Sequence, residues 1–293
     1  VPGGLLARVR QAYAEGVPGA FPGGEDRSPP AGLQNWRGIA CPRRPTYPRI
    51  AMGCSRLRLL GGVELKTSAG LVVPIPRKKA QALLAYLACH PGQAQARDKL
   101  ATLFWPEMVD QQARANLRKA LFVLRSHLSA VEPGLRIEDE AVALDVTALD
   151  VDVLAFQRLA RRADPESLQQ AAELYQGNLL EGLNVTEAPF EEWLREERER
   201  LREVALETLA RLLGHQAKAD DASAAIATAL RLLSLDPLQE AVHRALMRIY
   251  ARQGRRDAAL RQYQSCVDTI RRELNVEPET ETRDLYGEIL RGR

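Results

Sequence analysis

Cysteine is scarce in this chain of 293 residues, and Cys41, Cys54, Cys89 and Cys266 stand too far apart for a zinc knuckle or a CxxC redox pair. His90, His127, His215 and His243 are equally isolated and are read as surface or packing residues, so no metal site is expected. A phosphate-cradling GxxxxGK[ST] sequence is absent, and no receiver-like acidic pocket is evident. Neither a carboxylate pair nor a nucleophile with its base stands out, which argues against an enzyme and against a bound cofactor. No apolar run approaches the roughly 20 residues of a membrane span, and the first residues lack the continuous apolar core of a signal peptide. These absences together lead to the expectation of a reduced, cytoplasmic, non-catalytic protein.

What is present is unevenly distributed. The net charge of +3 divides into +4 over residues 1–52, +4 over 53–148 and −5 over 149–293. Such asymmetry suggests that one portion meets a polyanion while the other meets protein. Residues 1–52, with "GVPGAFPGGEDRSPPAG" and "CPRRPTYPR", are rich in Pro and Gly and show no sustained apolar period, so they read as a disordered segment. Met52 stands directly before the first convincing strand and is a candidate natural start, which N-terminal sequencing of the native protein would test.

From Ser55 the pattern becomes that of an α+β domain over residues 53–148. "RLRLLGGVEL" and "GLVVPIP" read as short strands of a small antiparallel sheet. "RKKAQALLAYLACHPG" and "ARDKLATLFWP" read as two helices, the second ended by Pro106. "GLRIEDEAVALD" reads as a hairpin with Glu138, Asp139 and Glu140 at its tip.

Between these lies "DQQARANLRKALFVLRSHL", residues 110–128, with five cationic side chains counting His127. At about 100° per residue, Leu117, Leu121, Leu124 and Leu128 share one narrow face that must be buried. Arg114, Arg118 and Arg125 flank it, while Gln111, Gln112, Ala115, Lys119, Phe122 and Ser126 face away. Asp110 is the expected N-cap. Taken alone this is an amphipathic surface helix with a solvated basic face. In context, strands, three helices and a terminal hairpin make a winged helix-turn-helix, whose third helix enters the major groove. Arg, Lys and Gln are side chains that hold phosphate and read base edges.

Residues 149–293 read as all-α. Asp164-Pro165 and Asp236-Pro237 are helix starts, and Glu191–Arg195 and Glu196–Arg200 are expected i,i+4 pairs on a long charged helix. "DDASAAIATALRLLSLDP" aligns with "RRDAALRQYQSCVDTIRRELNVEP" so that Ala225 falls over Ala259, a separation of 34 residues and the period of tetratricopeptide repeats. Stacked helical pairs of this kind offer a groove for protein or peptide.

The order "LRLLGGVEL…VPIPRKKAQALLAYLACHPG…RDKLATLFWP…ARANLRKALFVLRSHL", then "LDVDVLAFQRL…LYQGNLLEGL…FEEWLREERERLR…ELNVEPETET", resembles the bacterial SARP-type transcriptional regulators. The likeness covers residues 57–291. It implies an OmpR-like winged helix followed by a bacterial transcriptional activator domain with tetratricopeptide-like repeats, in an activator that binds double-stranded DNA at direct repeats and recruits RNA polymerase. By that resemblance Arg114, Arg118 and Lys119 are the expected contacts of the recognition helix, and Arg77, Lys78 and Lys79 meet phosphate. The presumed wing tip is acidic, with Arg136 the cation beside it. A protein-interaction scaffold, its winged helix of little DNA affinity, is the competing reading that this acidic tip motivates.

Overall fold

The computed structural model describes residues 54–129, 131 and 134–292. The segment expected to be disordered, residues 1–52 with its candidate start Met52, lies outside the described residues. All described residues fall in one compact unit, residues 50–293.

Strand β1 (Ser55–Arg58) alternates buried and exposed positions, turning Leu57 inward and Arg56 and Arg58 outward. It pairs antiparallel with β2 (Glu64–Lys66), with Leu57 opposite Leu65. The expected second run, "GLVVPIP", forms only an isolated bridge from Val72 to Lys66, with the Val73 amide still reaching Leu65 O at 2.8 Å. Pro74 and Pro76 carry no N–H and cannot extend the ladder. The other edge of β1 is taken by β6 (Leu149–Val151), which runs parallel to it with Val151 opposite Leu57. The helical reading from Asp150 onward therefore missed a strand, because three residues of L-D-V are too few to establish a period-2 pattern.

Helices α1 (Lys78–Cys89), α2 (Arg97–Phe104) and α3 (Asp110–Leu128) follow. The second sheet has the order β3-β5-β4, in which β5 (Ala141–Asp145) lies between β3 (Gln95–Ala96) and β4 (Gly134–Ile137). Thus the expected hairpin forms, and β3 ties it to the turn between α1 and α2. This is the winged helix-turn-helix.

The remainder is helical: α4 (Asp152–Ala160), α5 (Pro165–Leu174), α6 (Ala188–Lys218), α7 (Ala222–Leu235), α8 (Glu240–Arg252), α9 (Arg256–Leu274) and α10 (Thr280–Leu290). Asp164 caps α5 as expected, its carboxylate accepting the Ser167 amide at 2.8 Å. At Asp236 the expectation fails by one turn. Its carboxylate accepts from the Leu238 amide and the Gln239 side chain, which builds a turn, and α8 starts only at Glu240. On α6 the arginines choose i,i+3 partners, Arg200 with Glu197 and Arg202 with Glu199, rather than the expected i,i+4 pairs. The aligned alanines Ala225 and Ala259 are both fully buried, in α7 and α9, and Gly254 makes the α8–α9 turn with φ +72°, a conformation that side-chain-bearing residues resist.

The two halves share a core. One buried cluster runs from Leu57 through Leu83, Phe104, Leu121 and Leu144 to Phe156, Phe190 and Leu201. Phe104 packs on Phe190 at 5.0 Å between ring centres, and Tyr86 on Trp193 at 4.9 Å. Backbone bonds cross the same seam, Leu180 N to Leu59 O at 2.8 Å and Gly61 N to Asn178 O at 3.0 Å. Gly61 turns the chain there at φ +78°, a conformation that side-chain-bearing residues resist. Asp152 fastens the seam: buried at the first turn of α4, its carboxylate accepts the amides of Leu59, Leu60 and Val153 at 2.7–2.9 Å. Burial pushes this carboxyl up to about 6, against the downward pull of those amides. Beyond the seam, the repeat helices bury two separate clusters, one around Leu209, Ala225 and Leu246 and one around Met247, Ala259 and Leu285.

Candidate nucleic-acid interface

Helix α3 forms because leucines and alanines recur on one face over five turns with no Gly or Pro among them. Ala113, Leu117, Ala120, Leu121, Leu124 and Leu128 are buried against the rest of the winged helix. Its N-cap is Val109, with no side-chain cap bond, so Asp110 is not the cap expected of it. As the first helical residue it places a carboxylate at the positive end of the helix dipole instead.

The opposite face is open. Gln111, Gln112, Arg114, Arg118, Lys119, Phe122, Arg125 and Ser126 are all exposed, and Ala115 is half-buried. Gln111, Ala115, Arg118, Phe122 and Arg125 follow one another at i+4, i+7, i+11 and i+14, and so form a single stripe along the helix. No acidic residue occurs between 111 and 128.

The expected cations are placed unequally. Arg118, Lys119 and Arg125 project from α3, and Arg77 and Lys78 are exposed at the start of α1. Arg114 is engaged: its guanidinium makes two 2.9 Å contacts with the two carboxylate oxygens of Asp98 on α2, both side chains more than half exposed. Lys79, also expected to meet phosphate, is engaged elsewhere. Its ammonium pairs with Glu187, donates to Phe104 O at 2.8 Å and lies 5.2 Å from the centre of the Trp105 ring. It therefore belongs to the seam between the halves. One residue per 100° of rotation separates it from Lys78, and that rotation turns it inward.

The wing tip is held down. Arg97 at the start of α2 donates to the carbonyls of Glu138 and Asp139 at 3.3 and 3.2 Å, and its amide bonds Glu140 O at 3.0 Å. Arg136 folds back on Asp145 at 3.2 Å, within its own hairpin. The Thr147 amide and hydroxyl, with Arg136, hold the Asp145 carboxyl below the usual range. Between wing tip and α3 lies an open cleft in which Asp98, Asp110, Asp139 and Glu140 face Arg97, Arg114 and Arg118. Its carboxylates outnumber its guanidiniums, while Lys119 and Arg125 lie beyond it on α3.

Burial raises the Cys89 thiol far above its ordinary range and pushes Cys266 up to about 12, leaving neither as a thiolate. Among the described residues no group of His, Cys, Asp and Glu is placed to hold a metal ion, and no helix is long and apolar enough to cross a membrane. Sequence reasoning missed Asp98, the carboxylate partner of Arg114, and Asp152. Asp152 opens an apolar helix, where an acid is an ordinary first-turn residue, and the pattern could not reveal partners more than 90 residues away.

The bacterial transcriptional activator domain model matches residues 144–290, half of the chain. The chain is also similar to the regulatory protein AfsR of Streptomyces griseus, 28% identical over 260 residues, which cover 85% of this chain and 26% of that protein. It thus spans about a quarter of the length of that curated relative. Among solved structures, Mycobacterium tuberculosis EmbR in complex with a low affinity phosphopeptide shares the fold with a TM-score of 0.62 at 21% identity, covering 82% of this chain and 66% of that one. The family model covers the helical half, the fold likeness extends over both halves, and the chain belongs to the SARP-type family of bacterial transcriptional activators.

Proposed function

We propose that this chain is a sequence-specific DNA-binding activator of the cytoplasm, which binds direct-repeat promoter sites through α3 and recruits RNA polymerase through its helical half. It is not an enzyme on this reading. The observation that carries it is the open face of α3, where Gln111, Gln112, Arg118, Lys119 and Arg125 stand exposed on a helix that holds no acid after Asp110. Arg118 and Lys119 lie mid-helix on that open face. Arg77 and Lys78 are available to phosphate, whereas Arg114 must exchange Asp98 for DNA and Arg136 must leave Asp145. Direct repeats place two copies head to tail, so neighbouring molecules would touch through unlike surfaces. The net charge of −5 on residues 149–293 keeps that half off the phosphates and suits it to protein contacts.

The clamped acidic wing tip favours one competing reading, a scaffold whose helical repeats do the work and whose winged helix scarcely binds DNA. Selection of DNA from a random-sequence library with the full chain separates the two. The activator reading expects an enriched, repeated motif, cooperative filling of paired over single half-sites in a footprint, and activation of a reporter placed behind the motif. An unenriched library would leave the scaffold.

A further inference from the structure

Four phenylalanines lie among the described residues, and three of them, Phe104, Phe156 and Phe190, are fully buried. Phe122 is 74% exposed. No ring or cation contact of its side chain occurs among the described residues. Its neighbours on the helix surface are Arg118 and Lys119 one turn before and Arg125 and Ser126 one turn after, all exposed. An apolar ring in a ring of cations makes a poor docking site for an apolar protein surface, because association would strip water from the cationic groups without pairing them. It suits a partner that is anionic at its rim and offers an apolar contact at its centre. The DNA major groove is such a surface, with phosphates along both edges and thymine C5-methyl groups on its floor.

We infer that Phe122 is a specificity-determining residue that packs on a thymine methyl group in the major groove. The inference rests on the DNA-binding reading of α3. Phe122 belongs to the stripe of Gln111, Ala115, Arg118 and Arg125 that the buried leucines turn outward, so a helix lying in the groove with Arg118 on the bases also presents Phe122 to them. Four residues of helix advance about 6 Å, which sets the thymine within about two base pairs of the one that Arg118 reads. The cleft strengthens this placement. Four carboxylates line it beside the first turns of α3, and Phe122 lies one turn beyond Arg118, the last α3 residue at its edge.

The test uses the full chain and a motif selected from random DNA. Each thymine of the motif is replaced in turn by uracil, which removes the methyl group alone, and affinity is measured for the parent and for Phe122→Ala. The parent should lose about four-fold at one position, the worth of one buried methyl group, and Phe122→Ala should bind thymine and uracil there equally. Motif binding by the parent that ignores every methyl group would overturn the inference while leaving the DNA-binding reading intact. So would a Phe122→Ala protein that keeps the methyl preference but loses self-association or reporter activation, since the ring would then contact protein. A parent that selects no motif would overturn both.

Discussion

The winged helix and the distal repeats are built on different plans, although both rest on leucine and alanine. The core of the winged helix is continuous with the start of the helical half: Phe104 packs on Phe190, Leu59 and Leu60 meet Leu180 and Leu179, and β1 takes β6 as a partner. The distal helices α7 to α10 bury separate clusters between successive layers, as repeats do. The winged helix is therefore braced by α4 and α6, while the last repeats are added stepwise. A partner bound to α6 would be held rigidly relative to α3, and one bound to α10 more loosely.

The hardest test of this contrast is to cut the chain at each place. The domain expected to end at residue 148 would lose β6, Asp152 and Phe190, so a 53–148 fragment should show no cooperative melt by circular dichroism. A chain ending at residue 279 loses Leu285 and Ile289 from the outermost cluster and should keep its winged helix folded and its DNA affinity. A 53–148 fragment that melted cooperatively at the parent's midpoint would show that the winged helix needs no brace.

Next in size, Phe190→Ala should lower global stability by about 3 to 5 kcal/mol through the cavity left against Phe104 and Trp193. Chemical denaturation monitored by tryptophan fluorescence measures it. Loss of motif binding should accompany the loss of stability at moderate temperature, although Phe190 lies in the helical half.

Asp152→Ala orphans up to three buried amides and should cost about 1 to 3 kcal/mol. Asp152→Asn separates the charge from the bonds. The parent carboxyl titrates at about 6 when folded and near 3.8 otherwise, so the folded state holds the extra proton between those values. Its contribution is full below the lower value and declines as pH rises through about 6. Relative to Asp152→Asn, the parent should thus lose stability between pH 4 and 7. A constant difference between the two melting curves would contradict the buried titration.

Much of this was legible in the sequence, and the reasons for the exceptions are physical. The bounds of α3 and its buried leucines followed from period alone, because a 19-residue amphipathic helix repeats its signal five times. Strand β6 is three residues long and repeats nothing. The exposed cations of α3 were legible for the same reason as its leucines, being the complement of one face. The role of Lys79 was not, since its partner Glu187 lies 108 residues away. The Arg114–Asp98 contact and the Arg97 clamp on the wing tip are likewise products of the fold.

Among smaller effects, Arg118→Ala should cost roughly 1 to 3 kcal/mol of DNA binding and relax preference at one base pair, while Lys119→Ala weakens all sequences alike. At the start of α1, Lys78→Ala should lower the salt slope of binding by about one contact. Lys79→Ala should leave that slope unchanged and shift only the melting temperature. Equal slopes for the two lysine variants would erase the distinction drawn between them.

Central to the account is that the exposed face of α3 is the surface that reads DNA. The most direct test is a binding isotherm of the full chain on its selected motif and on a scrambled duplex, taken from low to moderate salt for the parent and for Arg118→Ala. With about five phosphate contacts, from Arg77, Lys78, Arg114, Lys119 and Arg125, parent affinity should fall about 10²- to 10³-fold between 50 and 200 mM salt. Arg118→Ala should close part of the gap between motif and scrambled duplex while remaining folded. A parent whose affinity is flat in salt, or a folded Arg118→Ala protein with undiminished discrimination, would contradict it.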